Sequence, residues 1–276
     1  MSELSDLRSF IGRSATAADV ATAPPIARLA ATLGVPAPAA AAGDRLPPGW
    51  HGVYFAPALG PDSLRADGQS ALPPVPLRHF RIGLDRAEFP GELRIGDEMT
   101  RVSRIADVSV TERPEGPVVR LLQRNEISGP RGLAVVEERE SIYFDHTPPA
   151  AAPPPRLPEP RWRKLVEPGA ILLFRYSALR FNSHRVHYDR EFALREEGLP
   201  GLIVQAALVA QLLLEMCRTA LPSRRILAFS PRTRHPIYDT GAFTLCGSPA
   251  ADERSATLWA LDAAGSPALV GEVALA

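Results

Sequence analysis

The chain has 276 residues, 45% hydrophobic and 22% charged, which supplies a substantial core and excludes a disordered or fibrous protein. Thirty-one basic residues balance 31 acidic ones, so no global charge argues for nucleic acid or an anionic membrane as partner. Met1 to Arg13 holds no apolar run suited to secretion and no stretch reaches the length of a membrane span, so a cytoplasmic location is expected. Cys217 and Cys246 stand in apolar company without metal-ligand or redox spacing and read as reduced core residues.

In chain order, Pro25 to Leu33 predicts a short helix, with a proline at its start, apolar residues at helical spacing and Gly34 as its stop. Ala37 to Ala42 is a small-residue loop, and Pro47 to Leu59 a bulky apolar segment expected as a buried helix. From Phe80 the pattern turns to strands: Glu88 to Leu93, Met99 to Val110, Pro117 to Ile127 and Leu133 to Phe144, separated by Gly-Asp, Pro-Glu-Gly and Gly-Pro-Arg-Gly turns. His146 to Pro160 is rich in proline and alanine and reads as a linker.

After it the order repeats. Ala170 to Phe174 is strand-like, a polar loop runs through His187, and a helix is expected from about Pro200 to Thr219. Strands follow at Ile226 to Phe229, Ala242 to Cys246, Thr257 to Asp262 and Ala268 to Leu275. The second helix is apolar on nearly every face apart from Gln205, Gln211 and Glu215, which calls for burial on most sides, as under a curved antiparallel sheet. The fold class is α+β: one unit over 1–145, a linker over 146–160, and a second unit over 161–276.

The segment Arg175 to Ala193, RYSALRFNSHRVHYDREFA, resembles without a gap the signature of MaoC-like, or type 2, enoyl-CoA hydratases. On that match His187 falls on the family's catalytic histidine, and Asn182 stands where the family commonly has a catalytic aspartate. The likeness is greater to the branch holding 3-hydroxyacyl-thioester dehydratases and mesaconyl-C4-CoA hydratases, where asparagine is usual at this place. FIGR (10–13), LPPGWHGVYF (46–55), LPPVPL (72–77) and LRIGDEMTRVSRIADV (93–108) are similar to that branch's first unit. The resemblance implies a double hot-dog fold, each antiparallel sheet wrapped around a helix, with a first half that shapes the pocket and a second half that reacts. It implies reversible hydration of a 2-enoyl thioester, with coenzyme A only as part of the acyl-CoA substrate and no other cofactor.

Such chemistry needs a base for water, a proton for the α-carbon and stabilisation of the enolate oxygen. His187 suits the first role, having a near-neutral intrinsic pKa. Asn182 orients water but cannot exchange a proton as a carboxylate would. Backbone amides at the start of the second helix, near Gly201 or at Ala206, are placed to hold the enolate. Here the chain departs from its relatives, with Gln205 in place of histidine and Ala206 in place of glycine.

Two readings compete at most of these positions. Asn182 and His184 serve either the water or the turn; Asp189 orients an imidazole or pairs with an arginine. Arg180 and Arg185 clamp a free carboxylate on the acyl chain or are solvated charges. Gln205 and Trp50 line the substrate or belong to the core. Arg224, Arg225, Arg232 and Arg234 read as ordinary loop charges rather than a coenzyme A phosphate site. No metal cluster or nucleotide loop is visible in the sequence. The expected activity is hydration of itaconyl-CoA or mesaconyl-C4-CoA to citramalyl-CoA. The alternatives are dehydration of fatty 3-hydroxyacyl thioesters and a thioester-binding module without catalysis; a homodimer is compatible with each.

Overall fold

A computed structural model describes residues 4, 6–37, 41–145, 153 and 156–276. Most of the expected linker, 146–152 and 154–155, lies outside the described residues, as does 38–40 of the small-residue loop. The elements in order are β1 (Ser14–Val20), α1 (Ala23–Leu33), β2 (His79–Glu88), β3 (Glu98–Thr111), β4 (Val118–Gly129), β5 (Gly132–Phe144), β6 (Trp162–Val166), α2 (Ala170–Leu179), α3 (Ala206–Ala220), β7 (Ile226–Thr233), β8 (Phe243–Pro249), β9 (Ser255–Leu261) and β10 (Pro267–Leu275).

The strands form one sheet in the order β1-β3-β4-β5-β2-β7-β10-β9-β8-β6. Each half contributes five strands, and the halves meet where β2 pairs antiparallel with β7 through Ala87 opposite Phe229 and Glu88 opposite Ala228. α1 starts with prolines in its first turn and stops at Gly34, whose φ of 64° suits a residue without a Cβ. Its Ile26, Leu29, Ala30 and Leu33 are buried on one face. α3 is the central helix of the second half, its run from Leu208 to Glu215 buried on all sides, as its apolar sequence requires. One core cluster holds Ile26, Trp50, Met99 and Ile127 from the first half with Leu173, Leu213, Phe229 and Leu258 from the second. The arrangement is the double hot-dog expected.

Several elements differ from expectation. Pro47 to Leu59 is not a helix but a single 3-10 turn at Trp50–Val53; Pro47, Pro48, Pro57 and Gly49 deny a longer helix, although Trp50 and residues 53–55 are buried as their bulk demands. Ala170 to Phe174 belongs to α2 rather than a strand, a confusion inherent in a five-residue apolar run. The strand expected at Glu88 to Leu93 ends at Glu88, because Pro90 and Gly91 interrupt the ladder. β1 and β6 were not anticipated at all; SATAADV lacks the large apolar alternation that marks a strand. α3 begins at Ala206, six residues later than Pro200.

Candidate active site

The loop between α2 and α3 carries most of the candidate site residues. α2 ends at Arg180, whose amide bonds to the carbonyls of Tyr176 and Ser177, and the Ser177 carbonyl also accepts the amide of Asn182 at 2.8 Å. Phe181, at φ 50°, makes the reversal between them. The Asn182 side-chain carbonyl accepts the His184 amide at 3.1 Å, an Asx turn. A 3-10 turn over Arg185–His187 then presents His187 inward. Beyond it the chain makes a π-helical turn at Phe192–Glu196 before it returns to Gln205, and the Ile203 amide bonds to the Val186 carbonyl at 2.9 Å.

His187 is buried, and its Nδ1 sits 2.8 Å from the Ile203 carbonyl. A carbonyl only accepts, so Nδ1 bears the hydrogen and Nε2 keeps the lone pair. Burial pulls the imidazole's pKa down to about 4, against a smaller upward pull from the Ile203 bond. The ring is therefore neutral at pH 7, with Nε2 available as a base. His184 packs edge-on against it at a centroid separation of 5.3 Å; burial, then His187, lower its pKa to about 3. Nothing here protonates His187 in the resting site.

The remaining candidates sort by their contacts. Arg185 is engaged: Nε and an amino group donate to Asp189 at 3.0 and 2.8 Å, and the guanidinium stacks 4.1 Å from the Phe192 ring centroid. It fixes the loop, and Asp189 is its partner, while the Ile203 carbonyl holds the imidazole. Trp50 is fully buried and donates to Glu215 on α3, so it belongs to the core. Gln205 is buried, and its amide donates to the Leu173 carbonyl and Ser177 hydroxyl, both at 2.9 Å. Gly201 is not at a helix start; a Cβ there would meet Asp239 and Thr240, and Asp239 accepts the Leu202 amide at 2.8 Å. Its role is packing. Ala206 opens α3 behind Gln205, so Ala206 and Ala207 carry the first helix amides. Arg180 lies beside Gly52, where a Cβ would collide with its guanidinium.

The first half grips the catalytic loop, which the sequence did not reveal. The Arg185 amide bonds to the Asp67 carbonyl at 2.9 Å, and the Ser183 hydroxyl bonds to the Gly68 carbonyl at 2.5 Å. Gly68 has φ +85° and so little room that a Cβ would strike the Ser183 carbonyl. An Asp-Gly pair is a turn-forming dipeptide, but its partner here is more than a hundred residues away. A cavity of about 250 Å³ lies elsewhere, beside His51, Arg45, Arg218 and Arg225. Among the described residues no helix is long and apolar enough to cross a membrane, and no group of three or more His, Cys, Asp or Glu is arranged to hold a metal.

A double hot-dog with a neutral buried histidine whose Nε2 is free, at the mouth of a central helix, defines an acyl-thioester hydratase or dehydratase. The hydroxyacyl-thioester dehydratase type 2 family matches residues 49–239, and the chain belongs to it. Mesaconyl-C(4)-CoA hydratase of Chloroflexus aurantiacus is 36% identical over 254 residues, 90% of each chain. The mitochondrial hydroxyacyl-thioester dehydratase type 2 of Schizosaccharomyces pombe is 24% identical over 73% of this chain and 77% of its own. In fold, HtdX of Mycobacterium tuberculosis superposes with a TM-score of 0.66 at 17% identity, covering 95% of this chain and 99% of that one. The chain is an acyl-CoA hydratase or dehydratase of the MaoC-like group.

Proposed function

We propose that the enzyme adds water reversibly to mesaconyl-C4-CoA, giving citramalyl-CoA, with the isomer itaconyl-CoA as the second candidate. The observation that carries the chemistry is the His187 tautomer: Nδ1–H tied to Ile203 leaves Nε2 as the base. The choice of acyl group is supported by the similarity to the Chloroflexus enzyme along nine-tenths of the chain. Mesaconyl-C4-CoA has its double bond conjugated with the thioester, so attack at the β-carbon gives a thioester enolate. Itaconyl-CoA does not, and a base-plus-enolate site suits it less.

In this reading His187 Nε2 takes a proton from water as the water oxygen bonds to the β-carbon. The π electrons move onto the thioester oxygen, near the amide of Ala206. The imidazolium then returns its proton to the α-carbon, so one water has been added and His187 is restored. Asn182 cannot exchange a proton as a carboxylate would and its carbonyl is occupied by the His184 amide, which leaves both transfers to one imidazole. Coenzyme A enters only with the substrate.

The test is loss of enoyl absorbance and gain of product mass with mesaconyl-C4-CoA, itaconyl-CoA and crotonyl-CoA, using wild type and His187→Ala. Turnover of a C5 dicarboxylic thioester that vanishes in the folded variant is expected. Reaction of crotonyl or longer chains alone would move the enzyme to fatty-acyl dehydration, and binding without any turnover would end the catalytic reading.

A further inference from the structure

The concave face of the first half is interrupted by charge. The strand registers align Arg101 of β3 with Ile127 and Val135, Ser103 with Asn125 and Glu137, and Gln123 with Arg139. This polar row separates the main core, which holds Met99, Ile127 and Val135, from a smaller cluster around Val108, Val119, Leu121 and Tyr143. A polar row across a buried sheet face costs stability unless every group is matched.

Glu137 is matched. Its carboxylate accepts Arg139 at 2.8 and 3.1 Å and His51 Nε2 at 2.9 Å. Burial alone would raise its pKa, but Arg139 and then His51 hold it well below the usual carboxylate range. Asp19, the other nearby carboxylate, accepts the Val20 and Phe55 amides at 2.7 and 2.6 Å. The positive side is in excess. Arg101 feels Arg139, Arg180, Glu137 and Asp19 together, and burial, then Arg139, lower its pKa. Three guanidiniums thus face two carboxylates, of which Glu137 is already taken by Arg139 and His51 and Asp19 by backbone amides. Among the described residues neither Arg101 nor Arg180 has a carboxylate within 4.0 Å. Arg101 has a marginal bond to the Phe55 carbonyl at 3.4 Å, and Arg180 lies 5.7 Å from the Tyr176 ring centroid and hydrogen-bonds to the Tyr176 hydroxyl, a neutral partner that leaves its charge unmatched.

Arg180 caps the helix whose following loop leads to His187, so the surplus charge lies on the segment that enters the reaction centre. We infer that Arg101 and Arg180 form a carboxylate-binding subsite that receives the free carboxylate of the acyl chain, and so select a dicarboxylic thioester over an apolar one. Guanidinium forks suit a planar carboxylate and lose little hydration when they meet it. Gly52 belongs to this subsite, because the missing Cβ is what lets the Arg180 guanidinium lie against the turn after Trp50. Gly52→Ala would displace the flexible end of one arginine and leave the backbone alone. The inference rests on the dicarboxylic substrate proposed above, and its test separates the two.

Binding of succinyl-CoA and butyryl-CoA, which cannot be hydrated, is measured by calorimetry for wild type, Arg101→Gln, Arg180→Gln and Gly52→Ala. The ratio of kcat/KM for mesaconyl-C4-CoA to that for crotonyl-CoA is measured alongside, with thermal melts to confirm folding. Wild type should prefer succinyl-CoA, and each variant should lose roughly 10- to 100-fold of that preference, the worth of a charge-assisted contact. The kinetic ratio should fall by the same order. Equal losses for succinyl-CoA and butyryl-CoA, or no preference in wild type, would overturn the subsite. A succinyl-CoA preference that depends on the arginines, in an enzyme that hydrates no dicarboxylic thioester, would uphold the subsite and discard the proposed substrate.

Discussion

At His187 one hydrogen bond and one environment set opposite requirements. The Ile203 carbonyl fixes the proton on Nδ1, and burial keeps the ring neutral. Replacing His187 by Gln retains a donor for Ile203 but removes the base, so kcat should fall by about 10²- to 10⁴-fold with little change in melting temperature. The pH profile carries a second expectation. An ordinary histidine would put the acid limb of kcat/KM near pH 6.5; here it should lie near pH 4, with a flat profile from 6 to 8. The same depression affects stability. The unfolded chain binds protons at His184 and His187 below about pH 6.5 that the folded chain refuses until pH 3 to 4. Stability is therefore complete above pH 6.5 and declines as pH falls, by roughly 3 kcal/mol for His187 at its limit. Denaturant titrations at pH 7 and pH 4.5 should show the decline in wild type and a smaller one in His187→Gln.

Loops, more than helices or strands, hold the site. The segment at Asp67 and Gly68 is an ordinary turn by sequence, yet it meets the catalytic loop through the Asp67 and Gly68 carbonyls. Gly68→Ala strains a φ of +85° and drives a methyl into the Ser183 carbonyl. The expected result is about 1–3 kcal/mol of destabilisation together with loss of activity, although the residue belongs to the half without the catalytic histidine. Urea denaturation and kcat measured on the same preparation check this; normal activity at reduced stability would mean that the grip is not needed for the loop's geometry. Two of the elements misread from sequence were apolar runs. Ala170 to Phe174 and Pro47 to Leu59 are apolar runs whose burial was legible while their backbone geometry was not, because period 2 and period 3.6 do not separate over five residues in the first and prolines break the helix in the second.

Across the whole molecule, the β2–β7 seam and a core drawn from both halves make the two units one folding body. Buried Glu215 of α3 links them further, accepting Trp50 from the first half, Gln211 at 3.2 Å and Arg218 at 3.0 Å. Glu215→Ala would strand Trp50 Nε1–H and leave Arg218 without its carboxylate, at about 3–5 kcal/mol. Unfolding should be a single transition, coincident by tryptophan fluorescence and far-ultraviolet dichroism, in wild type and in this variant. Separate transitions would show that the halves are stable apart.

The repeat of helix and meander, the apolar wrapping of the central helix and the motif ending in His187 were all legible in the sequence, because each rests on neighbours within about twenty residues. The α+β class follows from the first two, and the resemblance that the motif carries implies the double hot-dog and His187 as the candidate base. Which arginine lacks a carboxylate partner did not follow from them. Arg180 and Arg185 look alike along the chain, but folding places Asp189 against Arg185 and brings Arg101, from a strand some eighty residues earlier, beside Arg180. The helix start moved from Pro200 to Ala206 for the same kind of reason: residues 202–204 bond to Val186, Ile237 and Asp239 instead of to one another. Periodicity and spacing report local geometry; the distribution of charge and hydrogen-bond partners around a site depends on contacts between distant segments, and only the tertiary structure decides them.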